Sequence, residues 1–188
     1  QFLSKNKDID NWFLQIECFD PHEPFHAHKR FKKLFPTNYD GPILDWPIYD
    51  RVKETREEIS ELKANYAALV TMVDEYFGKL LDYFDRYDLW KDTALILTTD
   101  HGFLLGEHDW WAKNRMPVYN EIAHIPLMIY HPDFKNKAGA RINSLTQTID
   151  IMPTFLDFFG LDIPSDVSGN SLLNVLEKDN EIRKALIF

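Results

Sequence analysis

Two short clusters of ionisable residues carry most of the chemistry this sequence can offer. The first is Asp20-Pro21-His22-Glu23-Pro24, where an imidazole sits between two prolines. Proline fixes its own φ and restricts the residue before it, so the ring is presented by a stiff backbone. Such a ring suits proton transfer or contact with an anion; its other use is that of a surface loop histidine, like His26 and His28. The second cluster is Asp100-His101-Gly102. A carboxylate followed by an imidazole can give two ligands to one divalent ion, with Gly102 letting the backbone turn. The alternative is that Asp100 caps a turn and His101 packs beside it.

Two further groups are candidates. Lys113, in Trp110-Trp111-Ala112-Lys113-Asn114, is either a snorkelling surface lysine or a cation aimed at a substrate oxyanion. His108, in Gly106-Glu107-His108-Asp109, is equally open. Glu121 and His124 precede an apolar run and read as structural, as does His131 before Pro132. Cys18 lies inside an apolar segment without an activating neighbour and reads as a small core hydrophobe. As the sole cysteine it excludes an intrachain disulfide and argues against a cysteine-based zinc site.

The elements that must position these groups follow from composition and periodicity. The chain has 188 residues, 45% hydrophobic and 27% charged, which excludes disorder and allows one sizeable core. Its net charge of −9 makes it a poor partner for nucleic acid and requires a local basic site for any anionic substrate. No run of apolar residues is long enough to span a membrane. The spacing predicts buried strands at 12–19, 93–99 and 126–130. Five prolines between 21 and 50 forbid regular structure there, and this long excursion is a candidate specificity loop. Ile59, Leu62, Tyr66, Leu69, Val73, Phe77, Leu80 and Phe84 form one apolar stripe, predicting a long helix over 51–88 with glutamates in its first turns. Shorter helices are expected at 150–159 and 171–178, and residues 183–188 read as the start of a strand. This order indicates an α/β fold with a largely parallel sheet. Both ionisable clusters then follow strands directly, at the carboxyl edge where open α/β sheets bind ligands.

Taken in order, Asp20-Pro21-His22-Glu23-Pro24, Thr98-Thr99-Asp100-His101-Gly102, Leu105-Gly106-Glu107-His108, Trp111-Ala112-Lys113-Asn114 and Tyr119 with Glu121 and Pro126-Leu127 resemble the sulfatase family of the alkaline-phosphatase superfamily. The thirteen-residue spacing from Asp100 to Lys113 is the most specific part. The resemblance implies an alkaline-phosphatase-like α/β fold and covers only the later half of the family's catalytic domain, so a partial domain over residues 1–188, truncated at both ends, is expected. It implies that Asp100 and His101 ligate an active-site divalent metal, calcium by family habit with magnesium as a further candidate, although an imidazole is an unusual ligand for so hard a cation and also suits manganese or zinc. It implies that His22 contacts the ester and protonates the leaving oxygen, that Lys113 binds a sulfate oxygen, and that His108 lines the pocket. The family's nucleophile is a formylglycine made from a Cys/Ser-x-Pro/Ala-x-Arg motif. That motif does not occur here, so the nucleophile is expected outside this chain. Sulfuric ester hydrolysis by the longer protein is the implied activity, on a small-molecule or carbohydrate sulfate. Phosphodiester or phosphonate monoester hydrolysis, and a non-catalytic interaction module presenting the 51–88 helix, are the alternatives.

Overall fold

The computed structural model describes residues 1–187. In chain order its helices are α1 (Phe2–Asn6), α2 (Lys29–Lys32), α3 (Arg56–Arg86), α4 (Asn120–Ala123), α5 (Ile151–Phe158) and α6 (Leu173–Lys178). Its strands are β1 (Leu95–Thr98), β2 (Leu104–Leu105), β3 (Trp111–Ala112) and β4 (Leu127–Tyr130). The chain divides into two compact units. One comprises residues 1–89 and 101–125, the other residues 90–100 and those from 126 onward.

The first unit is organised by α3. Thr55 caps it through a capping box: its hydroxyl accepts from the Glu58 backbone N–H at 3.3 Å, and the Glu58 carboxylate accepts from the Thr55 N–H at 2.8 Å. Glu57 and Glu58 in the first turn and Arg86 in the last suit the helix dipole. Leu62, Ala68, Leu69 and Phe84 are the buried face, so the stripe read from the sequence points into the core. Leu62 packs with Trp111 and Ala112, and Leu44, Tyr49, Val52, Ile59, Phe103 and Leu105 close around them. Residues 50–52 and 109–111 are laced by backbone bonds from Val52 N to Asp109 O (3.2 Å) and from Trp111 N to Asp50 O (3.0 Å). The same region contains a small antiparallel ribbon, β2 paired with β3.

In the second unit β1 pairs with β4, Leu95 opposite Tyr130 and Thr98 opposite Leu127. The pairing is antiparallel. The expected largely parallel sheet is thus corrected: among the described residues there are two two-stranded antiparallel sheets. The strand expected at 12–19 is also absent. A strand needs a neighbour to take its N–H and C=O groups, and no described strand pairs with this segment. Phe13, Ile16 and Phe19 are exposed instead, Phe19 at 69%, and Cys18 is exposed rather than part of a core. Residues 183–187 form no strand either, and Phe188 lies outside the described residues.

Asp150 precedes α5 and is fully buried. Its carboxylate accepts from the backbone N–H of Gln147 (2.8 Å) and Asn170 (2.9 Å) and pairs with the Arg183 guanidinium. A buried charge so surrounded is a structural pin. His131 is a second one. Its Nδ1 accepts from the Asp133 N–H at 3.1 Å, and its ring meets Phe134 and Phe158. Burial pushes its pKa below the ordinary 6.5, against a smaller opposing pull from Asp133. The unfolded chain therefore binds the proton more readily than the native one, so this contribution to stability is complete above 6.5 and is lost as pH falls below it. His131→Asn, which keeps an acceptor at the Nδ1 position, is expected to flatten the fall in urea midpoint between about pH 7 and pH 5. Equal slopes for wild type and variant would sink this assignment.

Candidate active site

The His22 turn and Lys113, which directly follows β3, meet at one buried carboxylate, Glu23. The turn is closed by a bond from His22 N to Phe19 O at 3.0 Å, and both Asp20-Pro21 and Glu23-Pro24 are cis. Phe25 anchors it, with its backbone N–H donating to Asp45 O at 2.6 Å and its ring edge-on to Tyr66 and Phe103. The His22 ring stays half-buried, 4.5 Å from the exposed ring of Phe19, and its Nδ1 lies 2.8 Å from the carbonyl of Glu23. That contact makes Nδ1 the protonated nitrogen of the neutral ring and leaves the lone pair on Nε2.

Lys113 reaches the same place from the other side. It is only 7% exposed, so the reading of a snorkelling surface lysine does not describe it. Its Nζ lies 4.0 Å from Glu23 Oε2 and 5.8 Å from the centroid of the Phe103 ring. The backbone on both sides of it is left-handed, with φ of 69° at Ala112 and 83° at Asn114. Non-glycine residues in that region cost about 1–2 kcal/mol each. Trp111, fully buried and donating through Nε1 to Glu54 Oε2 at 2.6 Å, supplies the opposing term. Burying an indole removes about 200 Å² from water, worth roughly 5 kcal/mol, which exceeds the strain it holds in place. Trp111 is thus the anchor that forces the lysine inward.

Glu23 completes the group. Its residue is 0% exposed; the Tyr49 hydroxyl donates to Oε1, and Oε2 stands 3.4 Å from His22 Nδ1. Sequence reasoning passed over both Glu23 and Tyr49. The signal for Glu23 was present, a carboxylate next to the favoured histidine within the same proline-bounded turn. For Tyr49, twenty-six residues away, there was none.

His108 has different partners. Its ring lies flat against Tyr119, 3.9 Å away at 7°, and Nε2 is 3.1 Å from both carboxylate oxygens of Glu121. The Glu121 carboxyl titrates below the usual range, held down first by a backbone N–H and then by the His108 ring. So Glu121, read from the sequence as structural, fixes the orientation of a candidate pocket residue. His124 is exposed.

Asp100 and His101 fall on either side of the boundary between the two units. Asp100 is exposed and accepts from the Thr99 hydroxyl at 3.2 Å. His101 Nδ1 lies 2.9 Å from the carbonyl of Gly102, which directs ligation to Nε2. The two donors suit a divalent cation in kind. Among the described residues no group of three or more His, Cys, Asp or Glu side chains is placed to share an ion. Gly102 has an ordinary φ; it is needed because the 119–123 turn leaves no room for a side chain, a Cβ there falling 1.8 Å from Glu121 O. No helix among the described residues is long and apolar enough to cross a membrane.

Comparison with known proteins places the chain in a family. Residues 1–161 match the family model described as Sulfatase. The chain is 41% identical over 117 residues to an N-acetylglucosamine-6-O-sulfatase of Bacteroides thetaiotaomicron, covering 62% of this chain and 20% of that protein. It resembles a solved structure of a protein in complex with its substrate D-glucosamine-2-N,6-O-disulfate, at 37% identity and a TM-score of 0.54, over 66% of this chain and 24% of the other. It also resembles a phosphonate monoester hydrolase from Silicibacter pomeroyi, at 37% identity and a TM-score of 0.60, again over 66% and 24%. The structural neighbours are alkaline-phosphatase-like α/β folds, which supports the broader fold class read from the sequence. The chain spans about a quarter or less of the length of these three proteins. Because the family match runs over residues 1–161, most of the chain, the chain belongs to the sulfatase family.

Proposed function

We propose that the protein to which this chain belongs hydrolyses sulfate esters of carbohydrates, with this chain supplying the proton donor and the anion-binding cation. The observation that carries the reading is the convergence of His22 and Lys113 on the buried Glu23. Lys113, poorly solvated, is an effective partner for a sulfate oxygen as negative charge develops on it. His22 carries the proton to the ester oxygen as the S–O bond breaks, so that the sugar leaves as an alcohol. His108, oriented by Glu121, lines the pocket. A divalent cation, calcium by family habit, would be held in part by Asp100 and His101 and would neutralise charge on the sulfate. The formylglycine of the family, from outside this chain, would supply the attacking hydroxyl.

The relatives named above direct the choice of substrate towards an amino sugar bearing a 6-O-sulfate. The full-length protein is expected to release sulfate from N-acetylglucosamine 6-sulfate, and the isolated 188-residue chain is expected to release none. Turnover that survives both Lys113→Ala and His22→Ala unchanged overturns the assigned roles. The second reading, phosphonate monoester hydrolysis, is favoured by the likeness to the Silicibacter pomeroyi enzyme. A side-by-side assay on a sulfate ester and a phenylphosphonate separates the two: a kcat/KM at least about tenfold higher on the phosphonate would favour the second, a difference of about 1.4 kcal/mol in transition-state binding.

A further inference from the structure

We propose that Glu23 is a positioning residue, one buried carboxylate that aligns both His22 and Lys113. The inference rests on the roles given above to those two residues. Glu23 is fully buried, and its Oε2 makes no hydrogen bond. Buried carboxylate oxygens are almost always satisfied, so an orphan of this kind calls for a reason. Its surroundings provide one. Tyr49 holds Oε1, which fixes the plane of the carboxylate and turns Oε2 towards His22 Nδ1 at 3.4 Å and Lys113 Nζ at 4.0 Å. Both distances are longer than a formed hydrogen bond; Lys113 brings a positive charge, and His22 brings one only when both ring nitrogens hold a proton.

The arrangement does two things. It offers a second acceptor to His22 Nδ1, beside the Glu23 carbonyl at 2.8 Å, and so favours the ring orientation that aims Nε2 away from the carboxylate. When the ring carries two protons before transfer, the negative charge lies on its Nδ1 side and supports that cation. It also balances the Lys113 ammonium, which is otherwise nearly desolvated. Glu23 touches neither the ester nor the leaving oxygen in this scheme; it acts through its two neighbours.

The test needs a readout independent of turnover and one that depends on the leaving group. In the full chain labelled with ¹⁵N at the histidine rings, Glu23→Gln is expected to move the His22 resonances while those of His108 and His131 stay in place and report an intact fold. An unmoved His22 ring overturns the proposal, whatever the substrate. In the full-length protein, kcat of Glu23→Gln on a carbohydrate sulfate, whose alkoxide must be protonated, is expected to fall about 100-fold. On 4-nitrophenyl sulfate, whose phenolate leaves without a proton, the loss is expected to be at least about tenfold smaller, and Glu23→Asp should recover part of it. Equal losses on both esters would mark a merely structural carboxylate and overturn the proposal. A wild-type protein that turns over neither ester refutes the sulfatase reading, and the ring resonances then decide Glu23 alone.

Discussion

Lys113→Ala is expected to lower kcat on a sulfate ester by about 10²- to 10³-fold in the full-length protein, the cost of removing one preorganised group from a developing oxyanion. It should also destabilise the fold. Lys113 and Glu23 are both buried and stand 4.0 Å apart, so the truncation leaves a carboxylate without its cation. Breaking such a pair from one side costs about 3 kcal/mol or more, with the lower end expected here because the contact is long. The two effects can be separated. Lys113→Met combined with Glu23→Gln removes both charges while keeping volume, and is expected to recover most of the stability and none of the activity. Urea midpoints and initial rates for the two single variants and the double variant give the cycle. If the double variant regains activity, Lys113 is a structural cation and the catalytic role falls.

The contrast between what could and could not be read beforehand follows the reach of each signal. Helix α3 was legible because its stripe, its Thr55 cap and its acidic first turn are all local, and local signals agree with one another. The strands at Leu95–Thr98 and Leu127–Tyr130 were found, but not their direction, because a short apolar run carries no information about its neighbour. The segment at 12–19 shows the same gap more sharply: bulky residues suit a strand, yet a strand exists only through the chain beside it. At the site, His22 and Lys113 were legible as types in a setting, a ring between prolines and an amine beside indoles. What they share, Glu23, was not, since its burial depends on Tyr49 and on the inward turn that Trp111 imposes on Lys113. Gly102 was recognised for the wrong reason. Its backbone is ordinary, and only the distant Glu121 carbonyl explains why no side chain is tolerated.

That last point gives a prediction with two signs. Gly78 lies inside α3 with nothing within 4 Å of the place where a Cβ would go. Gly78→Ala is therefore expected to stabilise the protein by about 0.5–1 kcal/mol, through helix propensity and a less flexible unfolded chain. Gly102→Ala makes the same chemical change with the opposite outcome. The new Cβ would stand 1.8 Å from Glu121 O, 2.9 Å from Glu121 C and 3.1 Å from Ile122 Cα, all of them backbone atoms that cannot rotate aside. The bond from Gly102 N to Ile122 O, 2.8 Å long, has to open as the segments part. Overpacking of this kind costs about 3 kcal/mol, and the lost half-buried backbone bond adds about 1 kcal/mol more. The displacement is also placed where function would feel it. His101 precedes the glycine, Phe103 follows it beneath the Lys113 ammonium, and Glu121 orients His108. Gly102→Ala should thus lower activity at temperatures well below its unfolding midpoint, whereas Gly78→Ala should leave kcat/KM unchanged. Thermal midpoints and rates measured on the two variants together decide it: a Gly102→Ala midpoint equal to or above that of the wild type would mean that the 119–123 turn is not packed against Gly102.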